Sequence, residues 1–330
     1  MEKWALNIDI HNHFFPKAYI EELKKEKGYA SVGVDSEGRT LIYYRGDYNI
    51  VVGPHVELEK RLEAMDKYDI DMQVLTLTTP GVEREAPERG IRLARVTNDA
   101  FSEIVAKHSE RFTALATLPM QEPKAAVEEL MRAVRELGLR GAAIFSNING
   151  KPLDSKEFWP IYERASKMGV PLFIHPTTPI DERAMEDYRL VPILGFPLDT
   201  SLAVLRFIFS GVLEKYPSLK IVAAHLGGVI PYLIGRIDTC YEAYPECKLN
   251  VKKAPSEYLN HIWVDSICYN REAFMCAYAL FGPERILLGS DFPHQISDLE
   301  KAVKRIRELD VSEDTKRKIL GENALKLLKL

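Results

Sequence analysis

Ile8-Asp9-Ile10-His11-Asn12-His13-Phe14-Phe15-Pro16 is the stretch from which the rest of the chain is read. An apolar run closed by proline predicts a β-strand, and side chains two apart on a strand leave the same face. His11 and His13 therefore project together. Two neutral imidazoles converging in this way make half of a metal site. Alone, a His-x-His pair is a weak motif, met also as two ordinary histidines. Its meaning rests on the strands that follow.

Those strands recur with a period. Met72–Leu77 is a second apolar run, and Phe112–Leu118 a third. Between them Leu93, Thr97, Ala100, Phe101, Ile104 and Val105 mark one face of a helix. Val127, Leu130, Met131, Val134 and Leu137 repeat such a stripe, with Gly138 as its stop, before strand Gly141–Phe145. Phe158, Ile161, Tyr162, Ala165 and Met168 do the same before Pro171–Ile174. Asp199 or Thr200 is read as the cap of a helix through Leu213, followed by strands Lys220–Ala224, Ile262–Asp265 and Ile286–Leu288. Eight apolar strands alternating with amphipathic helices predict a parallel sheet wrapped in helices. At this length they predict a closed (β/α)8 barrel. No Gly-x-Gly-x-x-Gly follows any strand, which speaks against a dinucleotide fold. Residues 29–53 differ in character. Val32, Val34, Leu41, Tyr43, Ile50 and Val52 alternate around glycine-containing turns, so a small β-hairpin insertion is expected after strand 1. The chain is expected to be a single domain, 1–330.

Composition narrows the class. A net charge of −4 with both signs interspersed offers no footprint for nucleic acid, nor a basic amphipathic anchor. No apolar run is expected to approach a bilayer span. Residues 1–20 carry Glu2, Lys3 and Asp9 without an apolar h-region, so no signal peptide is expected. Cys240, Cys247, Cys268 and Cys276 have neither CxxC spacing nor the density of a disulfide framework, and free thiols in a cytoplasmic protein are expected.

In a (β/α)8 barrel chemistry gathers at the C-terminal ends of the strands. The first strand here ends in His11 and His13, the fifth in His175, the sixth in His225 and the eighth in Asp291. Core histidines do not recur so consistently at strand ends. His11, His13 and His175 are read as imidazole ligands. Asp291 is a further ligand or a water-positioning base, and His225 an acid/base group. His294, three residues after Asp291, is either a substrate contact or a solvated loop residue. His55, His108 and His261 are given no functional role. Three histidines and a carboxylate suit one divalent metal, zinc first, with manganese or iron as alternatives.

These residues, in IDIHNHFFP at 8–16, PLFIHP at 171–176, FSGVLEKYPSLKIVAAHLGG at 209–228, IGRID at 234–238 and RILLGSDFPH at 285–294, resemble the amidohydrolase superfamily. The resemblance is to the branch that contains aminocarboxymuconate-semialdehyde and γ-resorcylate decarboxylases, and it covers nearly the whole chain. It implies a distorted barrel holding one divalent metal, often zinc and sometimes manganese, on His11, His13, His175 and Asp291. His225 is implied as the catalytic histidine. Arg236 matches an arginine that reaches a neighbouring subunit's site, which implies a homodimer. The alternative is a helix-surface arginine paired with Asp238 or Glu242. The chain departs from the pattern where Tyr48-Asn49-Ile50 stands at the place of a substrate-carboxylate arginine, with Arg45 nearby as a substitute. The loop after His175 departs as well.

The expected activity is metal-dependent, non-oxidative decarboxylation of a small unsaturated or aromatic carboxylic acid. Hydrolysis of a lactone, ester or amide by water activated at the same metal is the alternative. A non-catalytic barrel is disfavoured because all five strand-end groups are present.

Overall fold

The computed structural model describes residues 6–44 and 47–330. Eight parallel strands form the centre. They are β1 Ile8–His13, β2 Met72–Thr76, β3 Phe112–Ala114 continued by Ala116–Thr117, β4 Ala142–Phe145, β5 Pro171–His175, β6 Lys220–Ala223, β7 Ile262–Asp265 and β8 Ile286–Leu287. Each pairs with the next, and the ring closes where the Ile10 amide donates to Leu288 O at 2.9 Å. The apolar run 112–118 breaks at Leu115, so its first half pairs with β2 and its second with β4.

Ile8, Ile10, Met72, Val74, Phe173, Val222 and Leu287 fill the inside of the ring. Each such side chain contributes about 1.5–3 kcal/mol on burial. Strict alternation would turn His11 outward, because Ile10 beside it faces in. The pairing of β1 with β2 slips between Asp9 and Asn12, and this bulge adds one residue to β1. Ile8 and Ile10 therefore pack inward in one phase, and His11 and His13 turn inward in the other, one layer higher. The face left outside carries Asp9 and Asn12, both fully buried beneath the helix Leu58–Lys67.

Arg61 of that helix satisfies the outer layer. It donates to Asn12 Oδ1 at 2.9 Å, Gln73 Oε1 at 2.7 Å, Pro54 O at 2.9 Å and His13 O. Its guanidinium lies between the rings of Phe14 and Phe292, 5.2 Å from each centroid. Burial, only partly offset by Asp9, pulls its pKa down to about 9. Gln73 and Ser290 in turn donate to Asp9, at 2.9 and 2.7 Å.

The β insertion expected after strand 1 is present and extends the hairpin by one strand, to an antiparallel sheet of Ser31–Val34, Thr40–Tyr44 and Asp47–Ile50. Its base is tied down by Glu85, which accepts from the amides of Tyr29 and Ala30 and pairs with buried Arg89. The helix assigned to start at Asp199 begins earlier, so that Val191–Phe209 is one apolar helix. Among the described residues it is long and apolar enough, by length and composition, to cross a membrane. Asp199 and Arg206 interrupt its apolar run in sequence. Inside the fold Asp199 accepts from Ser146 and Asn147, and Arg206 pairs with Asp154. The buried face of this helix includes Ala203, Val204, Phe207 and Ile208.

Candidate metal centre

His11, His13, His175 and Asp291 come together at the C-terminal end of the barrel. One donor atom from each lies within 4.8 Å of every other, and all four residues are buried. Hydrogen bonding fixes the tautomers. His11 Nδ1 lies 2.6 Å from Asp265 Oδ2, an acceptor. His175 Nδ1 lies 2.7 Å from the carbonyl of Pro176. Thr76 gives its hydroxyl proton to Asn12 O at 2.6 Å, so at 3.3 Å it can only accept from His13 Nδ1. Each Nδ1 therefore carries a proton, and each Nε2 is left facing the centre, where an entering ion displaces any proton that His11 Nε2 holds.

That leaves acceptors against acceptors. His11 Nε2 and His13 Nε2 are 3.2 Å apart, and they lie 3.4 and 3.0 Å from Asp291 Oδ1. Only a cation satisfies such a set, and three imidazoles with one carboxylate fit a divalent ion. The ionisation pattern agrees for two of the three imidazoles. Burial holds His13 and His175 well below the usual histidine range, hence neutral. Burial also opposes charge on His11, but Asp265 and Asp291 carry its imidazole up to about 10. Burial works against the Asp291 carboxylate too, yet the imidazoles of His11, His13 and His225 beside it keep it well below its normal value.

Asp265 ends β7, and its carboxylate accepts from four residues, Ile267 among them. Besides His11, its carboxylate accepts from the backbone amides of His225 at 2.8 Å and Leu226 at 2.9 Å. Those two residues turn through left-handed conformations, with φ of 54° and 57°. This turn directs His225 Nε2 toward Asp291 Oδ2, 3.9 Å away. His225 Nδ1 is buried without a partner among the described residues. Gly289 lets β8 come close, since a Cβ there would stand 3.0 Å from the Cβ atoms of both His11 and Asp265.

A cavity of about 880 Å³ opens above the centre. His175, His225, Asp291 and His294 lie at its floor, Tyr44, Tyr48 and Asn49 of the insertion along one side, and Arg189, Ile193 and Phe196 also line it. His294 is thus a half-buried cavity residue, 3.2 Å from Thr78 Oγ1 and packed on His13 with ring centroids 4.7 Å apart. Arg236 does not line the cavity, and it is exposed on the helix Ile230–Ala243. Arg45 falls outside the described residues. His55, given no role above, is buried behind His294 with ring centroids 5.4 Å apart. Burial and His294 take its pKa down to about 2. Asp265 was also passed over, although it ends its strand with a carboxylate just as Asp291 does.

Residues 8–330 match the amidohydrolase family. The chain belongs to that family. Among its amidohydrolase relatives, the aminocarboxymuconate-semialdehyde decarboxylase of Dictyostelium discoideum is 35% identical over 99% of this chain and 92% of its own length. The γ-resorcylate decarboxylase of Polaromonas sp. JS666 is 33% identical over 82% of this chain and 87% of its own. The crystal structure of 5-carboxyvanillate decarboxylase from Sphingomonas paucimobilis superposes with a TM-score of 0.85, at 27% identity and 99% of each chain. A dihydroxybenzoic acid decarboxylase from Polaromonas sp. JS666, solved with manganese and 2-nitroresorcinol, gives 0.82 at 28% identity, covering 99% of this chain and 97% of that one. These amidohydrolases are carboxy-lyases built on the same barrel.

Proposed function

We propose that this amidohydrolase is a non-oxidative decarboxylase of a small aromatic or unsaturated carboxylic acid. One observation carries the reading. A cluster of three imidazoles and a carboxylate, with a further histidine, His225, shares the floor of a cavity walled mainly by aromatic and aliphatic side chains.

A flat acid fits that wall, and its carboxylate end reaches the polar floor. Decarboxylation needs a proton at the carbon that bears the carboxylate. The proton forms the new C–H bond, the C–CO₂ bond breaks, and its electron pair stays on the carbon. Asp291 and His225 face each other at 3.9 Å and are the groups that hold and deliver this proton. The surrounding apolar residues keep water from competing for it. When bound to His11, His13, His175 and Asp291, a divalent ion supplies Lewis-acid polarisation of a substrate oxygen.

The test is incubation of the metal-loaded protein with 2,6-dihydroxybenzoate, 5-carboxyvanillate and 6-methylsalicylate in D₂O and in H₂¹⁸O. Carbon dioxide with deuterium on the vacated carbon is the expected result. A product acid carrying ¹⁸O, obtained from an ester, lactone or amide with no carbon dioxide from any acid, would make the protein a hydrolase. Metal analysis of the same preparation distinguishes zinc from manganese.

A homodimer completes the proposal. The helix Val191–Phe209 exposes Ile193, Leu194, Leu198 and Leu202, an apolar face that a second copy would cover. Arg236, exposed on its own helix, is the residue proposed to reach the partner's cavity. Sedimentation of the wild type and Leu198→Glu checks this, and a monomeric wild type removes it. The four free thiols suit the cytoplasm as the proposed location, which cell fractionation tests.

A further inference from the structure

The proposed substrate is an anion, so the cavity needs a cation away from the metal. Among the described residues that line it, Arg189 is the one arginine or lysine. It comes from the segment after β5, and its Nη1 lies 3.0 Å from Oδ1 of Asp47, at the start of the insertion's third strand. The ion pair therefore links two segments, 142 residues apart in the chain, that both line the cavity. The guanidinium carbon stands 6.0 Å from the centroid of the Tyr48 ring.

The backbone adds a second observation. Tyr188 and Arg189 both hold left-handed φ angles of 58°, a conformation side-chain-bearing residues rarely adopt. Consecutive residues of this kind persist where the surroundings fix them. The helix beginning at Val191 follows at once, so the turn fixes where Arg189 is presented.

We propose that Arg189 is a specificity-determining residue that selects substrates carrying a second anionic group, remote from the carboxylate that is lost. In the free protein Asp47 occupies its guanidinium. An incoming carboxylate takes over that position, where planar bidentate pairing favours arginine over lysine. The pair is solvent-accessible, so exchange demands little desolvation. This inference rests on the reading of the cavity as the site of a carboxylic acid.

The experiment is calorimetric binding of salicylate and of 4-hydroxyisophthalate to the metal-loaded protein. The two share a hydroxy-acid end and differ by one carboxylate. The expected result is at least about tenfold tighter binding of the dianion. Arg189→Met removes that gain and leaves salicylate affinity unchanged, and Arg189→Lys restores part of it. Asp47→Asn, which removes the competing carboxylate, tightens the dianion several-fold. Equal affinity of the two acids overturns the proposal. So does a gain that survives Arg189→Met, an equal loss of both ligands, or no binding of either. Because the readout is binding, it stands apart from turnover. A protein that prefers the dianion yet releases no carbon dioxide refutes the decarboxylase reading alone.

Discussion

One carboxylate, Asp265, accepts from His11 Nδ1 at 2.6 Å and from the His225 backbone amide at 2.8 Å. It thereby fixes both the tautomer of His11 and the turn that presents His225, the proposed acid/base group. Such outer partners of metal-binding histidines typically carry about 10–100-fold in metal affinity. Asp265→Asn is expected to weaken zinc or manganese binding by about that factor, with the far-ultraviolet circular dichroism unchanged. His13→Ala and Asp291→Ala, which remove donors themselves, are expected to lose stoichiometric metal after dialysis. Stoichiometric metal retained in both would refute the ligand set.

His225 lies beyond the four donors. His225→Asn is expected to keep its metal and lose about 10²–10⁴-fold in the rate of carbon dioxide release. Stopped assays on metal-quantified protein check this. A parallel loss of metal would make His225 a ligand instead.

Arg61 satisfies four acceptors beneath the centre: Pro54 O, His13 O, Asn12 Oδ1 and Gln73 Oε1. Arg61→Met keeps much of the volume between Phe14 and Phe292 and strands those acceptors without water. A loss of about 3 kcal/mol or more in unfolding free energy is expected, read by urea titration. A change below about 1 kcal/mol would mean the cluster rehydrates or repacks.

Glu83 gives a pH signature remote from the metal. Burial pushes its carboxyl up to about 7, and the Val82 amide 2.9 Å away only partly offsets this. Its folded value lies above its unfolded one. Its contribution is therefore fully present below about pH 4.5 and lost as pH rises through about 7. Across that window it removes up to about 3 kcal/mol of stability. Glu83→Gln should gain on the wild type as the pH is taken from 5 to 8. Parallel stability curves would place Glu83 in contact with solvent.

The barrel and the four donors were legible because each depends on local pattern, apolar strands followed by a polar residue at the strand end. Asp265 met the same description. It went unrecognised because its partner His11 is 254 residues away and nothing local distinguishes it from a strand terminus. His55 read as a histidine before a helix, since its ring neighbours, Phe15 and His294, come from β1's end and from the loop after β8, far from it in sequence. The third strand of the insertion was hidden because Asp47-Tyr48-Asn49-Ile50 alternates weakly and pairs only along Thr40–Tyr44. Arg189 had no signature at all, lying in a segment with neither strand nor helical period.

The bulge in β1 means that His-x-His states less than it seems to in this protein. Six residues serve two phases, oily below and metal-facing above, and the extra residue between Asp9 and Asn12 is the joint between them. Deleting Ile10 would preserve the letters of the motif while rotating its imidazoles out toward Arg61. The chain would still be recognised by any pattern search, and it would have no metal centre. Here the unit that carries function is a backbone irregularity, and the two histidines are its visible trace.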